Sequence, residues 1–190
     1  MIAFLRHGET DWNVEGRLQG QKDVPLNERG RAQARRNGAA MLAALPDVAT
    51  FDFVASPLGR ARETMEIARA AIGLDANAYR TDERLREVTF GEWEGYTTEE
   101  VRAREPGGVA AREADKWRFQ PPGGESYERL ADRVKPWIQG LDRPTVAVAH
   151  GGIGRVLWIE LTGLAPDQAV AIDIPHDKVF VWRDGVASLL

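Results

Sequence analysis

The chain has 190 residues, 43% of them hydrophobic, and a formal net charge of −4. That length suits one domain with a single good core, and the acidic balance argues against non-specific binding to nucleic acid or to an anionic membrane. With no cysteine, a disulfide framework, a thiolate metal site and a cysteine nucleophile are excluded, and no stretch approaches the roughly 18 apolar residues of a membrane span, so a soluble, cytoplasmic protein is expected.

Ile2-Ala3-Phe4-Leu5 reads as a buried strand. It runs into Arg6-His7-Gly8, which sets a cation beside an imidazole at the strand's C-terminal end, where ligands bind in open α/β sheets. Asn27 can cap a helix whose inner face reads Ala34, Gly38, Met41, Leu42 and Leu45 before Pro46 ends it. Residues 51–55 form a short strand that leads through Ser56-Pro57-Leu58-Gly59 into a helix over 60–72, closed by Gly73. A weaker strand follows at 78–81. Residues 96–125 are polar and broken by Pro106-Gly107-Gly108 and Pro121-Pro122-Gly123-Gly124. They read as an irregular insertion with one short helix over 98–104, the expected cap or lid. A helix begins after Ser126 with Leu130, Val134, Trp137, Ile138 and Leu141 on one face, and Pro136 is expected to kink it.

Thr145-Val146-Ala147-Val148-Ala149 is a second buried strand, and it ends in His150-Gly151-Gly152 and an apolar helical pattern. Two of the three histidines thus occupy equivalent strand ends. Residues 170–174 and 179–182 are expected strands, the second an exposed edge that would permit a homodimer. Arg183-Asp184-Gly185 then makes a hairpin into 186–190. The alternation of strands and helices implies a single three-layer α/β domain over 1–190, with a largely parallel central sheet flanked by helices.

In such a sheet Arg6, His7, Arg60 and His150 converge on one crevice, and a cluster of cations wants an anion. Guanidiniums offer forked donors that match phosphate oxygens. The helix starting near Gly152 adds N–H groups and a positive dipole end, and its glycines let backbone approach a ligand closely. No His-Glu-x-x-His or Asp-x-Asp run accompanies the histidines, so neither a metal nor another cofactor is expected.

Leu5-Arg6-His7-Gly8-Glu9-Thr10 with Trp12-Asn13 resembles the signature of the histidine phosphatase superfamily, the phosphoglycerate-mutase-like proteins. The likeness continues through Gly16-Arg17-Leu18-Gln19-Gly20, Pro25-Leu26-Asn27-Glu28-Arg29-Gly30, Ser56-Pro57-Leu58-Gly59-Arg60-Ala61, residues 85–95 and Ala149-His150-Gly151-Gly152. The blocks keep the family's order along nearly the whole chain. The resemblance implies that His7 takes the phosphoryl group and that Arg6, Arg60, His150 and Gly151 hold its oxygens. It further implies that Glu87 protonates the leaving oxygen and that Asn13 and Gln19 contact phosphoryl group or substrate. On chemistry alone Glu87 competes with Glu92, Glu94 and Glu9, of which Glu9 is expected to orient Arg6 or the first loop. His176 is assigned no role.

Gly152 where mutases tend to carry asparagine, a short insertion and Gln19 within Leu-Gln-Gly resemble the phosphatase branch. The resemblance therefore implies a phosphomonoesterase acting on a small phosphorylated metabolite. The alternatives are a phosphoglycerate mutase dependent on 2,3-bisphosphoglycerate and a non-catalytic binder of phosphorylated ligands. The insertion should build the leaving-group pocket, where Arg102, Arg104, Arg112, Lys116 and Arg118 either favour a second anionic group or form a solvated face.

Overall fold

The computed structural model describes residues 1–190. Strands β1 (Ile2–Arg6), β2 (Asp52–Ala55), β3 (Arg80–Thr81), β4 (Thr145–Ala149), β5 (Val179–Arg183) and β6 (Val186–Leu189) make one sheet in the order β3-β2-β4-β1-β5-β6. The first four are parallel, and β5 and β6 are added antiparallel. The helices are α1 (Asp11–Val14), α2 (Glu28–Ala44), α3 (Gly59–Ala71), α4 (Thr98–Arg104), α5 (Pro106–Ala114), α6 (Tyr127–Gln139), α7 (Gly151–Thr162) and α8 (Pro166–Ala169).

Successive side chains of a strand point to opposite faces, and that alternation makes the layers. Ala3 and Leu5 of β1, with Val146 and Val148 of β4, pack on Met41 of α2 and on Ala61 and Met65 of α3. Phe4, Ala147 and Ala149 point the other way, onto Leu130, Val134 and Trp137 of α6 and Ile153, Val156 and Leu157 of α7. A small separate cluster of Trp93, Val101 and Val109 holds α4 and α5 together.

Register carries the functional loops to one level. Arg6 lies beside Ala149 and Ala55 beside Val148; the His7 N–H bonds to Ala149 O and the Ser56 N–H to Val148 O, both at 2.9 Å. His7, Ser56 and His150 therefore leave three neighbouring parallel strands together. Close packing then seals the first loop: a Cβ on Gly8 would lie 2.3 Å from Gly30 O, so α2 crosses it at a distance only glycine permits.

Several expectations are corrected. Residues 170–174 are no strand, because the Ile172 and Ile174 carbonyls accept from Arg155 and Arg6 instead of a sheet neighbour. The insertion carries two helices, since Pro106 occupies the first turn of α5, where its missing N–H costs nothing. Helix α6 runs past Pro136 to Gln139; the proline and Asp132, four residues earlier, are both exposed, so water can serve the freed carbonyl. Leu42 is 40% exposed instead of facing the core. Strand β5 is no edge, because β6 covers it.

Candidate active site

Arg6, His7, Asn13, Gln19, Arg60, Glu87 and Gly151 line one cavity of about 160 Å³ at the C-terminal ends of the parallel strands. His7 is only 2% exposed, and Arg60 Nε donates to its Nε2 at 3.3 Å. A guanidinium can only donate, so Nε2 carries the lone pair and Nδ1 the proton, which goes to Gly8 O at 2.8 Å. Burial, then Arg60, His150 and Arg6, holds the His7 pKa well below the usual imidazole value. The result is a neutral imidazole whose free electron pair is next to a cation.

The loop carrying His7 is fastened on two sides. Gly8 N–H donates to Thr64 Oγ1 at 3.0 Å, and Thr64 donates to Arg60 O at 2.7 Å. From the tail, His176 Nδ1 donates to His7 O at 2.6 Å, while Asn37 of α2 donates to His176 O at 2.9 Å. The rings of His7 and His176 meet edge-on with centroids 5.4 Å apart. Burial, then Arg6, lowers the His176 pKa to about 4, so this ring is neutral as well. Sequence reasoning gave His176 no role; a histidine after Pro175 in a tail carries no local signal of its partner 169 residues away.

His150 is fully buried behind His7, ring centroids 5.2 Å apart, and its Nε2 bonds Ser56 Oγ at 2.7 Å. It does not line the cavity wall. Burial, with Arg60 and Arg6, keeps it neutral far below the ordinary histidine range. Ser56 is a second residue missed by sequence reasoning, read there only as part of a turn.

Both arginines are also tied to the chain's own backbone. Arg60 gives Nη2 to Gly20 O and Nη1 to Lys22 O, each at 2.7 Å, leaving Nε for His7. Arg6 gives Nη1 to Ile174 O at 2.8 Å, while its Nε is buried with no partner. Burial lowers the pKa of Arg6 to about 10, with Glu87 opposing the shift. A buried donor left unpaired costs about 1–3 kcal/mol, and here it belongs to a cation on the wall of the cavity.

Glu87 is the carboxylate of this cavity. Its oxygens accept from Gly152 N–H at 3.1 and 3.2 Å, and Oε1 from Val88 N–H at 2.9 Å. The competing acids are elsewhere: Glu94 Oε1 accepts from Gln21 N, Thr89 Oγ1 and Phe90 N, and Glu9 takes Asn27 Nδ2 at 3.1 Å and Arg29 at 3.4 Å. Glu9 therefore orders the first loop, as expected, but does not orient Arg6. Asn13 closes a capping box with Thr10 and so reaches the cavity from a fixed turn. Gln19 is 7% exposed and its Oε1 has no partner. Arg155 and Tyr127, missed from the sequence, bond each other at 3.1 Å on the same wall. No group of three His, Cys, Asp or Glu side chains is arranged to hold a metal ion, and no helix is long and apolar enough to cross a membrane.

The ends of the parallel strands thus gather two neutral histidines, two buried arginines and one carboxylate, an arrangement suited to an anion. The profile of the histidine phosphatase superfamily (branch 1) matches residues 2–182, and the chain belongs to that superfamily. It is 39% identical to a glucosyl-3-phosphoglycerate phosphatase of Mycobacterium tuberculosis, over 86% of this chain and 75% of the relative. Identity to a 2,3-bisphosphoglycerate-dependent phosphoglycerate mutase of Gloeobacter violaceus is 29%, over 93% and 82%. Among solved structures, a mycobacterial glucosyl-3-phosphoglycerate phosphatase in complex with VO3 superimposes with a TM-score of 0.79 at 34% identity, covering 95% of this chain and 92% of that one. The family and these relatives support phosphomonoester hydrolysis, and the glucosyl-3-phosphoglycerate phosphatases, at 37% and 39% identity, are more similar to this chain than the phosphoglycerate mutases, at 29% and 32%.

Proposed function

We propose that this chain hydrolyses a small phosphomonoester in two steps through a phosphohistidine on His7. In the first, the lone pair of Nε2 attacks phosphorus, the P–O bond to the leaving group breaks, and Glu87 gives that oxygen a proton. In the second, Glu87 takes a proton from water, the resulting hydroxide attacks phosphorus, and the P–N bond breaks to release phosphate and restore neutral His7. The Nδ1–H bond to Gly8 O steadies the ring while it carries the phosphoryl group, and Arg6 and Arg60 face charge on the phosphoryl oxygens. His150, bonded to Ser56, backs the nucleophile, and Asn13 and Gln19 meet the oxygens or the leaving group. Residues 96–125 act as the cap of this single domain.

The observation that carries the reading is the fixed tautomer of His7, since only an unprotonated Nε2 can form the P–N bond. Rapid quench in base with a labelled aryl phosphate should trap an acid-labile phosphoenzyme, and His7→Ala should abolish both label and turnover. Activity should survive chelators, and no added 2,3-bisphosphoglycerate should be needed. A strict requirement for a divalent cation, or label retained in His7→Ala, would overturn the mechanism; phosphoglycerate interconversion outpacing phosphate release would favour the mutase.

A further inference from the structure

His7 Nδ1 gives its proton to the carbonyl of the next residue, and that residue is a glycine. With no Cβ, Gly8 leaves its own backbone rotation open, so the direction of its carbonyl has to come from contacts. Side chains from α2, α3 and the tail supply them. His176 Nδ1 donates to His7 O at 2.6 Å and Thr64 Oγ1 accepts Gly8 N–H at 3.0 Å, so one peptide plane is gripped at both ends. Gln33 Oε1 accepts Glu9 N–H at 2.8 Å and so grips the following peptide, whose carbonyl is Gly8 O itself.

The grips are themselves held. Gln33 is 3% exposed and Thr64 is fully buried, and Thr64 Oγ1 in turn donates to Arg60 O at 2.7 Å. Asn37, one turn after Gln33 on α2, donates to His176 O at 2.9 Å. Upstream of His176 every second carbonyl is taken by a side chain: Ile174 O by Arg6 at 2.8 Å, Ile172 O by Arg155 at 3.0 Å and Val170 O by Lys116 at 2.7 Å. Residues 170–176 are thus a strap that holds Arg6 and His7, neighbours in the chain, at two points of its own length.

We propose that Gln33, Thr64 and His176 are positioning residues for the nucleophile: by orienting the two peptides that flank Gly8 they aim its carbonyl at His7 Nδ1, hold the proton there and leave the Nε2 lone pair for phosphorus. This deepens the phosphatase reading and rests on it. None of the three lines the cavity, so each acts through backbone and not through substrate. Their loss should therefore slow phosphoryl transfer at saturation and leave the half-saturating ester concentration in place.

Two substitutions at position 176 separate the hydrogen bond from packing. His176→Asn keeps an N–H at the place of Nδ1 and loses the ring that meets His7 edge-on, whereas His176→Phe keeps a ring and loses the N–H. In single turnover of an aryl phosphate, His176→Phe should slow phenol release about tenfold, the worth of one hydrogen bond, and His176→Asn should stay near wild type. Gln33→Met leaves Glu9 N–H without its acceptor and should behave like His176→Phe. In proton–nitrogen NMR spectra, with the His7 ring assigned by its absence from His7→Ala, the Nδ1 proton should exchange with solvent about tenfold faster in His176→Phe and Gln33→Met than in wild type and His176→Asn. Phenol release slowed as much in His176→Asn as in His176→Phe would make the ring a packing element, and an unchanged Nδ1 proton would overturn the proposal likewise. A His176→Phe chain that fails to fold leaves Gln33→Met to decide on the same two readouts. If wild type hydrolyses no phosphate ester, the phosphatase reading fails instead, and proton exchange decides the positioning role by itself: faster exchange in Gln33→Met supports it, and an equal rate refutes it.

Discussion

Three imidazoles held neutral inside the fold make stability fall in mild acid, and the size of the loss follows from burial. An unfolded chain titrates histidine at about pH 6.5, whereas His7 and His150 are held well below that value by burial with Arg60, and His176 is lowered to about 4 by burial with Arg6. Above pH 6.5 both states are neutral and these groups contribute no pH dependence. As pH falls below 6.5 the unfolded state binds protons that the native state refuses, so stability drops toward the folded pKa values. Between pH 7.5 and 5.5 each such histidine costs about 1.4 kcal/mol, and three cost about 4 kcal/mol. That is a large part of the roughly 5–15 kcal/mol of a typical domain. Ordinary carboxylates titrate near pH 4, below this window. Urea unfolding at pH 7.5, 6.5 and 5.5 should show the loss, and His176→Asn should reduce it by about a third. A loss under about 1 kcal/mol would mean that the native histidines accept protons, and the neutral nucleophile on which the mechanism depends would go with it.

Arg60→Lys keeps the charge but cannot span His7 Nε2, Gly20 O and Lys22 O together. It should lower kcat by about 10² to 10³ and lower the urea midpoint, and a kcat close to wild type would show that the three-way contact is dispensable. Gly152→Ala puts a Cβ 2.3 Å from Glu87 Oε1 and 3.0 Å from Leu130 Cδ2. It should displace the carboxylate and cut kcat by about 10² to 10⁴ with circular dichroism unchanged; full activity would show that the Gly152-bonded position of Glu87 is not the working one.

The parallel core was legible because strand and helix periods alternate without ambiguity, and the strand ends could be found from Arg6-His7 and His150-Gly151. What escaped is non-local. The buried faces of α2 include Gln33 and Asn37, which accept from Glu9 N–H at 2.8 Å and donate to the tail at 2.9 Å. A period-based reading that counts apolar positions passes over amides with such partners. Residues 170–174 have the β-branched composition of a strand, yet their carbonyls are claimed by guanidiniums from β1 and α7. That competition is invisible until the fold brings Arg6 and Arg155 alongside.

The same guanidiniums tie chemistry to folding. Arg6 moors residue 174, Arg60 moors residues 20 and 22, and Arg155 moors residue 172. Arg133 of α6 joins Glu125 at 2.8 Å and reaches the carbonyls of Arg84 at 2.6 Å and Arg86 at 3.0 Å, so it fixes the segment that presents Glu87. A buried cation in water-free surroundings must find acceptors, and here irregular backbone supplies them. Each loop is thereby pinned to the strand end it serves, which pre-organises the site without a large hydrophobic cost. On the proposed mechanism, loss of Arg6 or Arg60 therefore removes charge facing the phosphoryl group and releases a loop in one stroke. The two effects separate only if activity is compared at matched folded fraction, as they must be also for Gly152→Ala, which removes no arginine but crowds both Glu87 and the core side chain Leu130.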